Sequence, residues 1–207
     1  MKRLFLVSIT LSLVFVSSAQ IQVGAKAGLN LANLSAPAAF NDIYHIKPRF
    51  NAGGLVSFPL MGKFSLQPEI MYSGAGSKYK EPDSDTSNFN LGYINVPVLL
   101  KYTTSFGLFA EAGPQIGFLI SAKRDHFGSF GTNSNRYTED IKDEYNSTDF
   151  SAVFGIGYLS RFNLGIDARY NLGLTNTLKN SNTMFSYSLK NKVIQIGLFY
   201  VVGKRKK

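Results

Sequence analysis

The sequence predicts an all-β protein, an eight-stranded antiparallel up-and-down transmembrane β-barrel preceded by a cleaved signal peptide. Three observations predict this fold. Apolar and polar residues alternate over eight separate segments, as they do in a strand whose two faces meet different surroundings. Short connections alternate with long polar ones, which is typical of outer-membrane barrels. The polar face is rich in glycine, whereas aromatic residues of the apolar face lie near segment ends.

The first 19 residues have the plan of a secretory signal peptide. Lys2 and Arg3 precede an apolar stretch over residues 4–16, and residues 17–19 are small, which favours cleavage before Gln20. The apolar stretch is too short for a transmembrane helix, which needs about 20 residues. We therefore expect the mature chain to leave the cytoplasm.

Three parts follow from this reading: a signal peptide over residues 1–19, the barrel domain over residues 20–203 and a basic periplasmic tail over residues 204–207. The chain has 22 Lys and Arg against 13 Asp and Glu, a formal net charge of +9, which at first suggests a nucleic acid partner. Six of the 22 basic residues belong to the leader and the tail, so the barrel and its loops carry only +3. We therefore expect no nucleic acid partner.

Four segments with a two-residue period lie in the first half of the mature chain. Each places apolar residues at alternate positions, with polar or small residues between them, so its side chains divide between two faces. The four cover residues 21–31, 50–58, 64–72 and 94–102. Pro68 and Pro97 fall inside the third and fourth, where each removes a backbone donor. We expect a bulge or an unpaired position beside each proline.

Four further segments repeat the scheme. They cover residues 106–118, 150–158, 164–172 and 194–202, and the eight lengths are near the about 9–11 residues of a tilted spanning strand. The short connections are residues 61–63, 103–105 and 159–162. The long polar connections are residues 32–48, 79–88, 121–148 and 174–190. Short turns face the periplasm in such barrels, so we expect both mature termini there.

The polar face distinguishes a membrane barrel from a soluble lipocalin-like barrel, whose apolar face points inward with the same period. A water-exposed face should be rich in Lys, Glu and Thr, whereas repeated glycine suits the crowded lumen of a narrow barrel. The aromatic residues of the other face, such as Phe50, Tyr102 and Tyr170, are placed to form interfacial girdles. A soluble barrel and an ordinary sandwich core are the alternatives.

Charges of both signs lie on the predicted lumen face. A lone buried charge costs about several kcal/mol, so we expect these residues to pair. We interpret them as a lumen charge network that fixes strand register rather than as a catalytic cluster. Its members are Lys26, Glu69, Lys101, Glu111, Asp149, Asp167 and Arg169.

Four stretches resemble strands of the PorT-like, or "porin family", outer-membrane β-barrel proteins. Residues 93–102 read YINVPVLLKY, and residues 109–117, 149–158 and 167–174 are similar to later strands of that family in order and spacing. The motif positions are Tyr93, Pro97, Lys101, Tyr102, Gly113, Pro114, Arg169 and Tyr170. The resemblance implies an eight-stranded barrel in the outer membrane of a Gram-negative cell. Relatives include an accessory component of protein-secretion and gliding machinery.

Chemistry-bearing residues are few. The chain has no Cys, which excludes a disulfide framework, a thiolate metal site and a cysteine nucleophile. His126 lies beside Asp125 and His45 near Asp42, but both pairs fall in predicted polar loops without a candidate constellation around them. We therefore expect no catalytic residue, no cofactor and no metal site.

Residues 121–148 form the most unusual predicted loop, because charges of both signs are interleaved with aromatic residues. A loop of this length is usually functional or disordered. We predict a partner contact there, with a mobile solvated loop as the alternative. The candidate contact residues are Arg124, His126, Phe127, Tyr137 and Tyr145.

The sequence thus predicts a small integral outer-membrane protein with a structural or binding role exercised through extracellular loops. Eight strands leave a lumen that side chains can fill, so we expect no open pore. Outer-membrane lipid surrounds the predicted strands, and envelope or secretion proteins are the expected partners of residues 121–148 and 174–190. The alternatives are a narrow transport channel, an accessory component of a protein-secretion machinery and an enzyme; the oligomeric state is left open.

Overall fold

A computed structural model describes residues 21–35, 44–80, 86–130, 133–179 and 189–203. Nearly all of these residues belong to strands, with one 3₁₀ turn over Lys142–Glu144. Numbered in chain order, the strands are β1 (Gln22–Ser35), β2 (Tyr44–His45), β3 (Lys47–Pro59), β4 (Phe64–Ala75), β5 (Lys78–Lys80), β6 (Thr86–Thr103), β7 (Leu108–Phe130), β8 (Asn133–Asp140), β9 (Thr148–Leu159), β10 (Leu164–Gly173) and β11 (Lys190–Val202). Within the described ranges no helix is long and apolar enough to cross a membrane.

Eight of the strands close into one antiparallel barrel. The order around it is β1, β3, β4, β6, β7, β9, β10 and β11, and β11 pairs with β1 to close the sheet. Neighbours in the barrel are neighbours along the chain, apart from the short strands β2, β5 and β8, which lie outside the ring. The predicted eight-stranded up-and-down barrel is confirmed.

The outward face of the barrel wall is apolar, whereas the inward face carries the polar side chains together with glycines and some apolar residues. On β11, Asn191, Val193 and Gln195 are buried, whereas the intervening Ile194 and Ile196 are exposed. The same alternation runs along β10. An exposed apolar wall is the arrangement of a barrel that faces lipid, so the soluble lipocalin-like alternative, with its apolar face inward, is wrong.

The inward glycines leave room for side chains from neighbouring strands. A Cβ at Gly165 would overlap the ring of Phe199, and a Cβ at Gly157 would overlap the ring of Phe109. At Gly197 it would lie 2.6 Å from the side chain of Lys26. The lumen of an eight-stranded barrel is just wide enough to be filled, so the larger side chains fit because their neighbours have none.

The prolines interrupt pairing without shifting the register. β3 and β4 resume the same register on either side of Pro68, and β4 and β6 do so around Pro97. These are the unpaired positions expected from the missing proline donors. The register shift in the β6–β7 ladder lies instead between Gly92 and Tyr93, where Ile120 is the extra residue on β7.

The prediction of a loop over residues 121–148 is wrong. β7 continues to Phe130 and pairs with β8, so most of this stretch is an antiparallel hairpin, followed by the 3₁₀ turn. The bulge explains why alternation failed to reveal it, because Ile120 and Ser121 are both exposed and Ala122 is buried. The inward face changes from odd to even positions at that point, and the two-residue period breaks.

The barrel has two different ends. The short turns, residues 60–63, 104–107 and 160–163, lie at the end where the described chain begins and finishes, since Val23 pairs with both Val56 and Val202. We call this the turn end. At the opposite end, the rim end, β2, β5, residues 86–91 of β6, residues 122–130 of β7 and β8 form a sheet beyond the barrel, here called the rim sheet. The predicted signal peptide and basic tail lie outside the described residues.

Candidate functional site

Arg169 on β10 is the centre of the buried charges in the lumen. Its Nη1 and Nη2 donate to the two carboxylate oxygens of Glu69 on β4, each at 2.7 Å, and its Nε donates to Glu111 Oε1 on β7 at 2.6 Å. β4 and β10 lie on opposite sides of the eight-stranded ring. This planar, bidentate arrangement therefore joins opposite walls of the barrel.

Two lysines complete the cluster. Lys26 on β1 forms a hydrogen-bonded ion pair with Asp167 on β10, which it reaches across Gly197 of β11. Lys101 Nζ donates to Gln67 Oε1 at 3.3 Å and lies 3.6 Å from the centre of the Phe109 ring. Gln67 in turn donates to Glu69 at 2.7 Å. Lys101 is thus linked to Arg169 through Gln67 and Glu69, and Lys26 is linked to it through Asp167, which lies 3.4 Å from Arg169 Nε.

The structure brings six of the seven predicted network residues together. Three cations face three carboxylates, so the formal charge of the cluster is zero. The six are Lys26, Lys101, Arg169, Glu69, Glu111 and Asp167. Asp149 lies apart from them, nearer the rim, where it accepts hydrogen bonds from Thr175 at 2.7 Å and Asn191 at 3.0 Å.

A cluster of buried apolar residues lies on each side of these charges. At the turn end the buried residues are Leu55, Phe109, Leu159, Phe199 and Val201. At the rim end they are Ala32, Ala75, Leu91, Tyr93, Leu119, Ala122, Ile141, Tyr145, Leu189 and Val193. The buried side chains therefore lie in layers, with the paired charges between these two apolar clusters, here called the turn-end plug and the rim plug.

Tyr145 belongs to the rim plug, which corrects its prediction as a surface contact. It is only 2% exposed and pairs with Leu178 through an isolated bridge. The side chain of Asn146 donates to the carbonyl oxygens of Asn176 and Leu178 at 2.9 and 3.0 Å. The described parts of two long connections are thereby joined at the rim. Sequence alone could not show this, because an aromatic residue in a polar loop is equally compatible with exposure.

The other predicted contact residues lie on the rim sheet. The rings of His126 and Tyr137 stack at 4.5 Å, and Tyr137 is 59% exposed. Arg124 forms ion pairs with Glu139 at 3.5 Å and Glu144 at 3.2 Å. Phe127 lies in β7 with its backbone paired to both β6 and β8. The exposed surface here is a strand-built face rather than a mobile loop.

The acid–base pair considered for an enzyme does not form. His126 contacts Ser87 Oγ at 3.3 Å and Glu139 Oε2 at 3.5 Å, whereas Asp125, the next residue, accepts hydrogen bonds from Asn90 and Thr138. Successive strand residues point to opposite faces, which separates the two side chains. The second predicted pair, His45 with Asp42, cannot be compared with the prediction, because Asp42 lies outside the described residues. Across the described segments no group of three or more His, Asp or Glu is placed to hold a metal ion.

A second polar site, which the sequence reasoning missed, lies where β3 leaves β4 at the rim. Lys47 Nζ and Arg49 Nη1 both donate to Asn90 Oδ1, at 2.7 and 3.0 Å. Lys47 lies three residues beyond the lipid-facing Phe50 in the direction of the rim. Burial and the nearby Arg49 lower the pKa of Lys47 to about 8. The sequence feature that could have indicated this site is the pair of cations in Lys47-Pro48-Arg49, directly before the outward-facing Phe50.

A closed eight-stranded barrel with an apolar outer wall and paired buried charges inside defines a small membrane β-barrel protein. The family profile described as "Outer membrane protein beta-barrel domain" matches residues 16–179 of the chain. The chain belongs to this outer-membrane β-barrel family. The outer membrane is accordingly its location.

Several solved barrels are similar to the chain at low sequence identity. The attachment invasion locus protein Ail of Yersinia pestis is 12% identical, with a TM-score of 0.49, over 88% of this chain and 99% of that one. Neisserial surface protein A is 12% identical, with a TM-score of 0.46, over 87% and 96%. The N-terminal β-barrel domain of OprF from Pseudomonas aeruginosa is 12% identical, with a TM-score of 0.37, over 89% and 100%. No curated protein sequence matches the chain.

Proposed function

We propose that the protein is a sealed outer-membrane barrel with a structural or binding role, and that its rim sheet makes the contacts outside the cell. The layered filling of the lumen carries this proposal. Six charged side chains neutralise one another across the barrel, and an apolar cluster closes each end of that layer. Because side chains occupy the lumen, we expect partners to be bound by the outer surface of the barrel and by the rim sheet.

The orientation is part of the proposal. Short turns face the periplasm in outer-membrane barrels, so the turn end and both chain termini are periplasmic and the rim sheet is extracellular. The chain contains no Cys, so a single introduced Cys is a unique reporter. Asp143→Cys, at the rim, should react with a membrane-impermeant maleimide on intact cells. Arg161→Cys, at the turn end, should react only after the outer membrane is permeabilised, and the opposite pattern would refute the orientation.

The binding role is tested with matched aromatic positions at the two ends. Tyr137 on the rim sheet is 59% exposed, and Phe162 in a turn-end connection is 86% exposed. A photo-crosslinking amino acid placed at Tyr137 should give a discrete adduct in growing cells, whereas one at Phe162 should not. Replacing residues 125–138 by Asn-Gly shortens the rim hairpin but keeps Ile141 and Tyr145 in the rim plug. That variant should fold, and a crosslinker at the retained Asp140 should give no adduct in it, although it does in the full chain. An adduct at neither Tyr137 nor Phe162 in the full chain would contradict the role.

An accessory role in a secretion machinery, as the PorT-like resemblance suggests, is the second candidate. One observation favours it. Each short turn exposes a large apolar side chain: Met61 at 86%, Phe106 at 66% and Phe162 at 86%. One exposed apolar side chain in each described short turn suits contact with the lipid interface or with a periplasmic protein. A protein adduct at Phe162 without one at Tyr137 would favour this second role.

A further inference from the structure

At the rim, two positively charged side chains, those of Lys47 and Arg49, share one uncharged amide oxygen as their acceptor. Lys47 Nζ and Arg49 Nη1 share Asn90 Oδ1 as acceptor, at 2.7 and 3.0 Å. Ammonium and guanidinium groups bond more strongly to anionic oxygens than to neutral ones. The amide thus holds the two cations close together without neutralising them.

Arg49 has a further donor, Nε, that no described residue accepts from. Within the part of the chain that the structure describes, its Nε is buried and has no hydrogen-bond acceptor. A buried donor without a partner costs free energy, so such groups usually meet a water molecule or an ion. The site therefore has a donor in place for an additional oxygen ligand.

Local backbone geometry makes room for this arginine. The β3–β4 pairing ends at Asn51 and Ser73, and the side chain of Asn30 donates to the carbonyl oxygen of Gly74 at 2.8 Å. A Cβ at Gly74 would lie 2.9 Å from the Arg49 Cβ and 3.0 Å from its Nε. The cleft is thus built into the place where the two strands separate.

The surrounding charges and the height of the cleft indicate its ligand. Lys78 on β5 and Arg49 lower the pKa of Lys47, whereas Asp125 opposes them. Asp125 itself accepts hydrogen bonds from Asn90 and Thr138. Phe50 stacks on Tyr72 at 5.0 Å on the lipid-facing wall, and Lys47 lies three residues further along β3, which is about 10 Å at the rise of a strand. Aromatic girdles mark the membrane interface, so the cleft lies at the level of lipid headgroups.

We propose that the cleft lined by Lys47, Arg49, Gly74 and Asn90 binds the phosphate group of a phosphorylated lipid of the outer leaflet. The leaflet assignment rests on the proposed extracellular orientation of the rim, whereas the phosphate site itself does not. The phosphate oxygens accept from Lys47 and from the guanidinium group of Arg49, including its Nε. The acyl chains of the lipid lie against the apolar wall below.

Titration of the whole purified protein in neutral detergent micelles tests the site. The probes are a bisphosphorylated glycolipid, the same glycolipid with its phosphates removed, and inorganic phosphate, followed by native mass spectrometry. The wild type should bind the phosphorylated form at least about tenfold more tightly than the dephosphorylated form. Equal binding of the two lipids would overturn the proposal without any mutation. Inorganic phosphate that competes as well as the lipid would overturn the assignment to a lipid.

Variants locate the binding. Lys47→Gln with Arg49→Gln should abolish the preference for the phosphorylated lipid, whereas Lys142→Gln with Lys179→Gln, two other exposed rim cations, should retain it. Gly74→Ala keeps every charge but crowds Arg49, and it should weaken binding by an intermediate factor. A preference that persists in the first double variant would overturn the site. Labelling of Asp143→Cys only in permeabilised cells would overturn the outer-leaflet assignment alone, because binding in micelles is independent of orientation.

Discussion

Arg169 on β10 and Glu69 on β4 form a bidentate ion pair across the full width of the barrel, with both oxygen–nitrogen distances at 2.7 Å. Their strands are four positions apart in either direction around the ring, so no backbone ladder joins them. The pair fixes the separation of two opposite walls that strand pairing controls only indirectly. It is also the point at which the lumen charges meet, since Arg169 binds Glu111 as well.

Removing Arg169 should therefore destabilise the barrel strongly. Arg169→Met leaves Glu69 and Glu111 buried without their cation, which costs about 3–5 kcal/mol. Arg169→Lys keeps the charge but loses the planar fork, so we expect a smaller loss. The free energy of unfolding in urea, followed by heat-modifiable mobility in gels, measures both. Arg161→Met, at an exposed turn, is the matched control. A loss below about 1 kcal/mol in Arg169→Met would show that the network is not required for stability.

Overpacking the glycine face should be costly only where a neighbour fills the space. In Gly165→Ala the new methyl group meets the Phe199 ring, so we expect about 1–3 kcal/mol of destabilisation. Gly54→Ala is the control, because the nearest atom to its Cβ is Gly24 O at 3.7 Å. Adding Phe199→Leu to Gly165→Ala should restore part of the loss. Equal effects at the two glycines would contradict the packing argument.

The seal at the rim depends on Asn146. Its side chain donates to Asn176 O and Leu178 O, and losing both hydrogen bonds in Asn146→Ala should cost about 1–3 kcal/mol locally. We expect faster proteolysis in residues 174–179, with an unchanged barrel core in heat-modifiability assays. Lys179→Gln, an exposed neighbour, should leave the rate unaltered. Unchanged cleavage in Asn146→Ala would show that other contacts hold the connection.

Binding of the phosphorylated lipid should depend on pH through Lys47. Burial and Arg49 lower its pKa to about 8, so Lys47 loses its proton at lower pH than an ordinary lysine. The anion favours the protonated form, and affinity should therefore fall as the pH rises from 7 to 9. Phosphate monoesters are fully ionised across most of this range, and Arg49, Lys78 and Asp125 are the charged groups around Lys47. Lys47→Arg should remove the dependence; an identical pH profile in that variant would contradict the assignment.

The two-residue period predicted the barrel strands because each side chain meets either lipid or lumen, and those surroundings differ along the whole wall. The extension of β7 beyond Ile120 was not predicted, because the bulge there moves the inward-facing side chains from odd to even positions and interrupts the alternation. Alternation also predicts which charged residues face the lumen, because they occupy the same alternate positions as the glycines. Which carboxylate reaches Arg169 could not be predicted, because the contact joins opposite strands and depends on their stagger. The contact of Lys47 and Arg49 with Asn90 could not be predicted either, because it depends on where β3 and β4 separate.

A planar-bilayer recording of the purified, refolded protein tests the sealed barrel most directly. With six neutralised charges between the two apolar plugs, the protein should give no discrete current steps over a wide voltage range, while a general porin in the same bilayer does. The Asn146→Ala variant should be equally silent, because the turn-end plug and the charge layer stay in place. Reproducible single-channel steps from the wild-type protein, absent from a mock preparation, would contradict the account.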